Sequence, residues 1–202
     1  MVRPRQVSDE EILETARHLF IEHGPAVATS TIASQLSISQ AALFKRFGNK
    51  HTLMLRAMGM PDGTPEWAAR LADGPAPDED LPTALLEMCI GMDRFFQKLM
   101  PAIAVLKTAG VDPQEMFCGQ EPPPMRAHRA VTGWLERAHE LGLANIPDPS
   151  SLALVIMGAV QTRCLLVRTF PDQAPHQEPQ PYLEQFVDRL WHGLAPAPET
   201  SP

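Results

Sequence analysis

The sequence predicts an all-α protein. Apolar residues recur at steps of three and four along the chain, whereas the alternation typical of β-strands is absent from the sequence. Hydrophobic residues make up 44% of the 202 positions and charged residues 20%, a composition typical of a globular protein with a sizeable core. Many of the 21 prolines fall between the apolar segments, where a helical protein tolerates them.

The first helix has the clearest boundaries. Ser8 is a predicted N-cap, and Glu11, three residues later, completes a capping box. An apolar stripe follows at helical spacing, and Gly24 stands where the helix is expected to end.

Three shorter helical segments follow the first. We expect helices over about residues 30–36 and 40–46, joined by a tight turn at residues 37–39. Gly48 then interrupts the pattern, and Asn49 is a predicted N-cap for a fourth helix that runs to about Met60.

The rest of the chain is interpreted as helices separated by proline-rich segments. Pro101 interrupts one apolar stretch, so we expect one helix to end before it and another to begin there. Residues 110–124 are expected to form a loop. The remaining predicted helices cover about residues 66–72, 81–99, 101–109, 124–142, 150–169 and 180–194.

The charge is unevenly distributed. The formal net charge is −7, yet the first fifty residues carry six basic and five acidic side chains, and the remainder carries eleven and nineteen. The acidity therefore belongs to the later part of the chain. Lys45, Arg46 and Lys50 cluster beyond the acidic first helix, which is a local basic footprint suited to phosphate contact.

The cysteines predict neither a disulfide framework nor a zinc site. Cys89, Cys118 and Cys164 are odd in number and far apart, and no C-x-x-C pair occurs. We interpret them as reduced thiols of an intracellular protein. A redox-sensing role for Cys118, which lies in a Pro- and Gly-rich stretch, is left open.

No enzyme motif is present in the sequence. It contains no G-x-S-x-G, P-loop, G-x-G-x-x-G or H-E-x-x-H pattern. Glu136, His139 and Glu140 are neighbours on one predicted helix, and a solvated polar face is favoured there over a metal site. We therefore expect no catalysis, no cofactor and no metal.

The sequence also predicts a cytoplasmic protein. Apolar runs such as Leu152–Val160 fall short of the roughly 18 to 20 residues that a membrane span needs. The N-terminus has two arginines, turns acidic and never becomes the apolar stretch of a secretory signal. We accordingly expect no membrane association.

The segment that carries the function is Ile12–Leu55. Three short helices, the second and third joined by a tight turn, have the spacing of a helix-turn-helix unit whose last helix enters the DNA major groove. Periodicity places Phe44 beside Lys45 on the outer face of that last helix. An exposed Phe is unfavourable in water, and a thymine methyl group would cover it.

The same segment resembles the N-terminal domain of the TetR family of transcriptional regulators. The match covers less than a quarter of the chain, and its specificity rests on the ordered set of residues with the correct gaps. The matching residues are Leu19-Phe20 and Gly24, then Ile32-Ala33 and Ile38-Ser39, then Leu43-Phe44, Phe47, Lys50 and Leu53.

The resemblance implies roles for individual residues. Hydroxyls and backbone N–H groups at the start of the second helix would bind a phosphate. Ala28 stands where the family usually has Thr, so which hydroxyl caps that helix stays open. Gln40 suits bidentate bonding to adenine, and Phe44 lacks the hydroxyl of the Tyr that is common there. The implied DNA-binding residues are Thr29, Ser30, Thr31, Ser39, Gln40, Ala41, Phe44, Lys45, Arg46 and Lys50.

Without the resemblance, Lys45, Arg46 and Lys50 would be interpreted as an ordinary solvated face. Ser30 and Thr31 would likewise be interpreted as helix-capping residues only.

The resemblance also implies two domains, a helix-turn-helix domain over residues 1–58 and a helical ligand-binding and dimerisation domain over residues 59–202. Methionine adapts to irregular shapes, so a Met- and Phe-rich set is predicted to line a pocket for a largely apolar molecule. A plain core is the alternative interpretation. The predicted pocket residues are Met88, Met92, Phe95, Phe96, Met100, Met116, Phe117, Trp134 and Met157.

The last two helices are predicted to pair with their twins in a homodimer. Each carries apolar residues at helical spacing, which suits a four-helix contact. The alternative is that these faces close the chain's own core. The predicted interface residues are Leu152, Val155, Ile156, Ala159, Leu183, Phe186, Val187 and Leu190.

Together these features predict a ligand-responsive regulator, most simply a repressor, that binds a palindromic DNA operator as a homodimer. A small, largely apolar effector would favour a conformer in which the fourth helix swings, so that operator affinity falls. The alternative is a helical interaction protein that has lost DNA binding.

Overall fold

A computed structural model of the chain describes residues 7–59, 65–117, 119–175 and 178–193. Over those ranges the chain forms ten α-helices and no strand, which confirms the predicted fold class. The helices are α1 (Asp9–His23), α2 (Thr29–Gln35), α3 (Gln40–Phe47), α4 (Lys50–Met58), α5 (Glu66–Ala69), α6 (Leu81–Thr108), α7 (Pro113–Met116), α8 (Pro123–Glu140), α9 (Pro149–Thr169) and α10 (Pro179–His192).

The predicted ends of α1 are confirmed. The Glu11 backbone N–H donates to the Ser8 hydroxyl at 3.1 Å, and the Ser8 backbone N–H donates to the Glu11 carboxylate at 2.9 Å. These two bonds form the predicted capping box. Gly24 ends the helix at a φ of 79°, and its N–H donates to the Phe20 carbonyl.

The predicted break at Pro101 is wrong, because α6 continues through Pro101. A proline inside a helix leaves one carbonyl, here that of Gln97, without its backbone donor, at a cost of about 3 kcal/mol. The side chains of Leu99 and Ala102, on either side of the proline, are buried. Burial of this apolar surface offsets the cost and keeps the helix continuous.

Two short helices also differ from prediction. α5 ends at Ala69 instead of near residue 72, and turns follow it. α7 lies inside the stretch predicted to be a loop, where its last residue, Met116, is buried. This single turn buries one apolar side chain and has no periodic apolar pattern. The sequence therefore gives little indication of a helix there.

The chain divides into two compact units. The first comprises Met1–Asp62 and Lys98–Pro122, and the second comprises Gly63–Gln97 and Pro123–Pro202. The first unit extends beyond the predicted DNA-binding domain of residues 1–58 because the end of α6 packs into its core. The functional division at residue 58 stays a prediction.

The first unit has one apolar core. Phe20, Ile32, Leu43 and Leu53, from the first four helices, are fully buried in it. The end of α6 adds three further buried side chains to the same cluster, Ala102, Val105 and Leu106.

The second unit is also built around buried apolar side chains. α8 packs along α9, and Leu135 and Ile156 are fully buried on those two helices. Among the described residues, α9 alone has the length and apolar composition of a membrane-spanning helix, although only 33% of its apolar window is buried. Much of the apolar surface of α9 is therefore exposed in the isolated chain.

We expect Gly91→Ala to destabilise the second unit. A Cβ at position 91, on α6, would lie 2.5 Å from the Trp67 Cβ, which is closer than van der Waals contact allows. Overpacking of this kind costs typically about 1–3 kcal/mol in the free energy of unfolding, measurable by urea denaturation.

Gly133→Ala on α8 is the matched control, because a Cβ there meets nothing within 4 Å. It should leave stability unchanged or raise it by up to about 1 kcal/mol through helix propensity. Equal effects of the two substitutions would contradict the close packing of Trp67 on α6.

Candidate nucleic-acid interface

The turn between α2 and α3 is short and internally bonded. The Ile38 N–H donates to the Ala33 carbonyl at 3.0 Å, and the Ser37 N–H donates to the Ser34 carbonyl at 3.0 Å. Ser37 has a φ of 54°, a left-handed conformation that costs a non-glycine residue roughly 1 kcal/mol. The neighbouring bonds and the buried α2 residues hold it there, and so fix α3 relative to α2.

No hydroxyl caps the start of α2. Ala28 is the N-cap and has no capping side chain, while Thr29 is the first helical residue and is 6% exposed. Ser30 and Thr31 are exposed in the first turn. Hydroxyls and the positive end of the helix dipole therefore share one surface.

Gln40 and Thr29 are joined across the two helices. The Gln40 side-chain amide donates to the Thr29 hydroxyl at 2.6 Å. The bond orients the amide of the residue predicted to read adenine. No sequence pattern indicates this pairing, because the two residues are eleven positions apart and meet only through the turn.

The outer face of α3 carries most of the predicted base-contacting residues. Gln40, Ala41 and Lys45 are exposed, whereas Phe44 is only half-buried rather than open on the outer face as predicted. Ser39 is the N-cap, and its hydroxyl accepts from the Ala42 N–H at 3.1 Å. The cap is satisfied within the chain, so α3 is held in place before it meets a ligand.

Arg46 has partners inside the chain. Its guanidinium donates to the Val7 carbonyl at 2.6 Å and lies 3.4 Å from the Asp9 carboxylate. Arg46 is exposed, as a phosphate-contacting residue must be, but its geometry ties the end of α3 to the start of α1.

Lys50 lies at the start of α4, as predicted. Asn49 is the N-cap, and its side-chain oxygen accepts from the Thr52 N–H at 2.8 Å. Lys50 is half-buried. Arg56, a residue the sequence did not single out, stacks 4.7 Å from the centre of the Phe47 ring. This cation–π contact covers an aromatic residue of the helix-turn-helix core.

The residues predicted to line an effector pocket fall in both units. Met88, Met92, Phe95, Phe96, Trp134 and Met157 are buried in the second unit. Met116 and Phe117 instead belong to the apolar cluster of the first unit, and Met100 is also assigned to that unit. Six of the nine residues therefore lie in the second unit and three in the first, and the effector pocket stays a prediction.

A groove of about 390 Å³ lies between α8 and residues 71–74. Its lining includes Arg129, Glu136 and Arg137, and none of the predicted effector residues. Near it, the His139 ring accepts a hydrogen bond from the Ile146 N–H at 3.2 Å, a structural role. Within the described residues, no group of three His, Cys, Asp or Glu side chains is arranged to hold a metal ion.

The predicted dimer residues are divided between core and surface. Ile156, Leu183 and Val187 are buried in the second unit, so for these three the core interpretation applies. Val155 is exposed, and the remaining four, Leu152, Ala159, Phe186 and Leu190, are half-buried.

The sequence interpretation missed two exposed residues of α9. Leu154 is 61% and Leu165 is 47% exposed, beside Val155 at 56%. α9 is apolar on more than one face, so periodicity alone does not distinguish the buried face from the open one.

A buried polar cluster lies in the second unit. Asp93 on α6 pairs with Arg163 on α9, and both side chains are 4% exposed. The Cys164 thiol donates to the Asp93 carboxylate at 3.1 Å. Burial raises the pKa of the Cys89 thiol to about 12, and burial with the Asp93 hydrogen bond raises the pKa of Cys164 to about 12. Cys118 lies outside the described residues.

The geometry defines a helix-turn-helix DNA-binding domain. Residues 12–57 match the model of the bacterial regulatory proteins of the tetR family. The N-terminal domain therefore belongs to the tetR family, which confirms the resemblance seen in the sequence.

The chain as a whole has the fold of solved TetR-family regulators. It aligns with PfmR from Thermus thermophilus at a TM-score of 0.65 and 20% identity, covering 92% of this chain and 99% of that one. A tetR-family protein from Rhodococcus gives a TM-score of 0.64 at 19% identity, covering 90% and 95%. One from Pseudomonas syringae pv. tomato gives 0.61 at 18% identity, covering 92% and 96%. No curated protein matches the chain by sequence.

The two described thiols should resist alkylation in the folded chain. Because the thiolate is the reactive form, a pKa of about 12 leaves Cys89 and Cys164 unreactive near pH 8. We expect iodoacetamide to label both at least about a hundredfold more slowly in the folded chain than in urea. Peptide-resolved mass spectrometry checks each cysteine, and rapid labelling of Cys164 in the folded chain would contradict its bond to Asp93.

Proposed function

We propose that the chain is a homodimeric transcriptional repressor that binds a palindromic operator and is released by a small, largely apolar effector. The observation that carries DNA binding is the capped, exposed α3 of a tetR-family domain. Its outer face presents Gln40 and Lys45, and Lys50 follows at the start of α4.

DNA contacts are assigned by exposure and chemistry. Ser30 and Thr31, with the backbone N–H groups at the start of α2, would bind one phosphate. Thr29 would act indirectly, because its hydroxyl accepts from Gln40. Ser39, Gln40, Ala41 and Phe44 would approach bases, and Lys45, Arg46 and Lys50 would contact the backbone.

The exposed side of α9 supports a homodimer. Of the six large hydrophobic residues exposed in the described part of the chain, five lie on or next to α9 and α10: Leu154, Val155, Leu165, Phe170 and Trp191. A second copy would cover the α9 residues. Two copies would also join two weakly basic DNA-binding domains at the spacing of one helical turn of DNA.

An effector would bind in the second unit. Met88, Met92 and Phe96 supply adaptable apolar side chains there, although the same residues also suit a plain core. A flavonoid-responsive regulator, FrrA, has the same fold at a TM-score of 0.50 and 17% identity, covering 89% of this chain and 94% of that one. An effector would act by favouring the conformer that binds DNA less well.

The proposed site of action is the cytoplasm, where the operator DNA is. The second candidate is a helical interaction protein that has lost DNA binding. The exposed Lys45 and the intact caps of α3 and α4 favour the regulator.

Operator selection from random duplexes tests DNA binding. We expect the wild-type chain to enrich a palindromic site. Lys50→Ala should weaken binding to all sequences alike, by about tenfold, and lower the salt slope by about one, because one phosphate contact is lost. The selected operator then serves as the probe in a screen for effectors.

Lys107→Ala, which removes an exposed lysine near the end of α6, is the matched control and should bind like the wild type. Failure of the wild-type chain to enrich any sequence at low salt would instead favour the interaction protein.

Leu154→Asp should dissociate the dimer. In a two-fold contact it would bring two carboxylates into an apolar interface, and we expect dimer affinity to fall at least about a hundredfold by sedimentation velocity. Met125→Asp is the matched control, because Met125 is 53% exposed but lies on α8. A monomeric wild-type chain, or one that binds phospholipid vesicles through α9, would contradict the proposed dimer.

A further inference from the structure

One guanidinium joins three helices of the first unit. Arg17, on α1, donates through Nη1 to the Met58 carbonyl at 2.7 Å and to the Ala57 carbonyl at 3.3 Å. Through Nη2 it donates to the Lys98 carbonyl of α6 at 2.9 Å. Arg17 is half-buried, and burial lowers its pKa from the ordinary value.

The first two acceptors lie at the carboxyl end of α4. Its last carbonyls have no donor within the helix, and they carry the negative end of the helix dipole. The Gly59 N–H returns to the Leu55 carbonyl at 3.2 Å, and Arg17 serves the carbonyls of Ala57 and Met58. A guanidinium suits this position because its several N–H donors lie in one plane, in the shape of a fork. A lysine ammonium does not reproduce that geometry.

The third acceptor lies in the turn of α6 that Pro101 disturbs. Proline has no N–H, and its ring crowds the preceding turn, so the helix holds the carbonyls there less firmly. The Lys98 carbonyl accepts from Arg17 in that turn. The bonds of Arg17 thus attach α4 to the turn of α6 that precedes Pro101.

We propose that Arg17 is a positioning residue for DNA recognition, which holds the carboxyl end of α4 against the end of α6 so that the helix-turn-helix keeps one fixed orientation within the first unit. The inference rests on the proposed operator binding. None of its bonds involves a residue predicted to touch DNA. Loss of Arg17 should therefore loosen the helix-turn-helix from the end of α6 and leave the number of phosphate contacts unchanged.

Two variants of the full-length chain test the role. Arg17→Lys keeps the charge and loses the fork. Pro101→Ala restores a donor for the Gln97 carbonyl and should strengthen α6 in the turn that holds the Lys98 carbonyl. Arg70→Lys, at an exposed arginine paired with Glu66 at 2.9 Å, is the matched control.

Each variant is titrated with the operator selected by the wild-type chain, and with operators in which the half-sites are one base pair closer or farther apart. We expect Arg17→Lys to bind the selected operator about tenfold more weakly, the factor by which the competent orientation is depleted. Affinity for the operators with altered spacing should fall by less, so the preference for the selected spacing becomes smaller. The salt dependence of binding should stay unchanged. Pro101→Ala should also reduce the preference for the selected spacing, and its Tm should be no lower than that of the wild-type chain.

Equal losses on all spacings in Arg17→Lys, together with wild-type discrimination in Pro101→Ala, would overturn the proposal and leave Arg17 a stabilising residue only.

Hydrogen exchange separates this outcome from a failure of the proposed function. If the wild-type chain selects no operator, DNA binding itself fails. Exchange at the last turn of α4 then tests the attachment without DNA. Faster exchange there in Arg17→Lys than in wild type would support the attachment, and equal exchange would refute it.

Discussion

The packing of short helices into one apolar cluster is the constraint on which the DNA-binding unit depends. α2, α3 and α4 have seven, eight and nine residues, fewer than an isolated helix needs to be stable in water. They persist because Ile32, Leu43 and Leu53 are fully buried with the apolar stripe of α1. The outer face of α3 can be polar and exposed because the opposite face supplies the stabilisation that folding requires.

Side-chain caps at the helix N-termini also stabilise the DNA-binding unit. Ser8, Ser39 and Asn49 cap three helices through their own side chains, whereas Ala28 does not cap α2. The start of α2 thus keeps backbone N–H groups that no capping side chain occupies, and it leads into the turn that positions α3. The same kind of cap that stabilises three of the first four helices is missing from α2, whose start is proposed to bind phosphate.

The ends of the first four helices were predictable from local features of the sequence. The capping box at Ser8, the turn before Ser39 and the cap at Asn49 each depend on residues within a few positions, and all were placed correctly. The continuity of α6 through Pro101 and the bonds of Arg17 depend on partners tens of residues away, so no local pattern predicts them. Leu154 and Leu165 of α9 were missed for a related reason, because a helix that is apolar on more than one face does not reveal which side faces its neighbours.

The Asp93–Arg163 pair has a consequence for how the second unit can change over evolutionary time. A buried charge left without its partner is strongly destabilising, whereas a well-packed apolar pair of similar volume is often tolerated. Substitutions at these two positions should therefore be accepted together or not at all. Selection should therefore act on the two positions as a pair, and a relative that carries an apolar residue at one position is expected to carry one at the other.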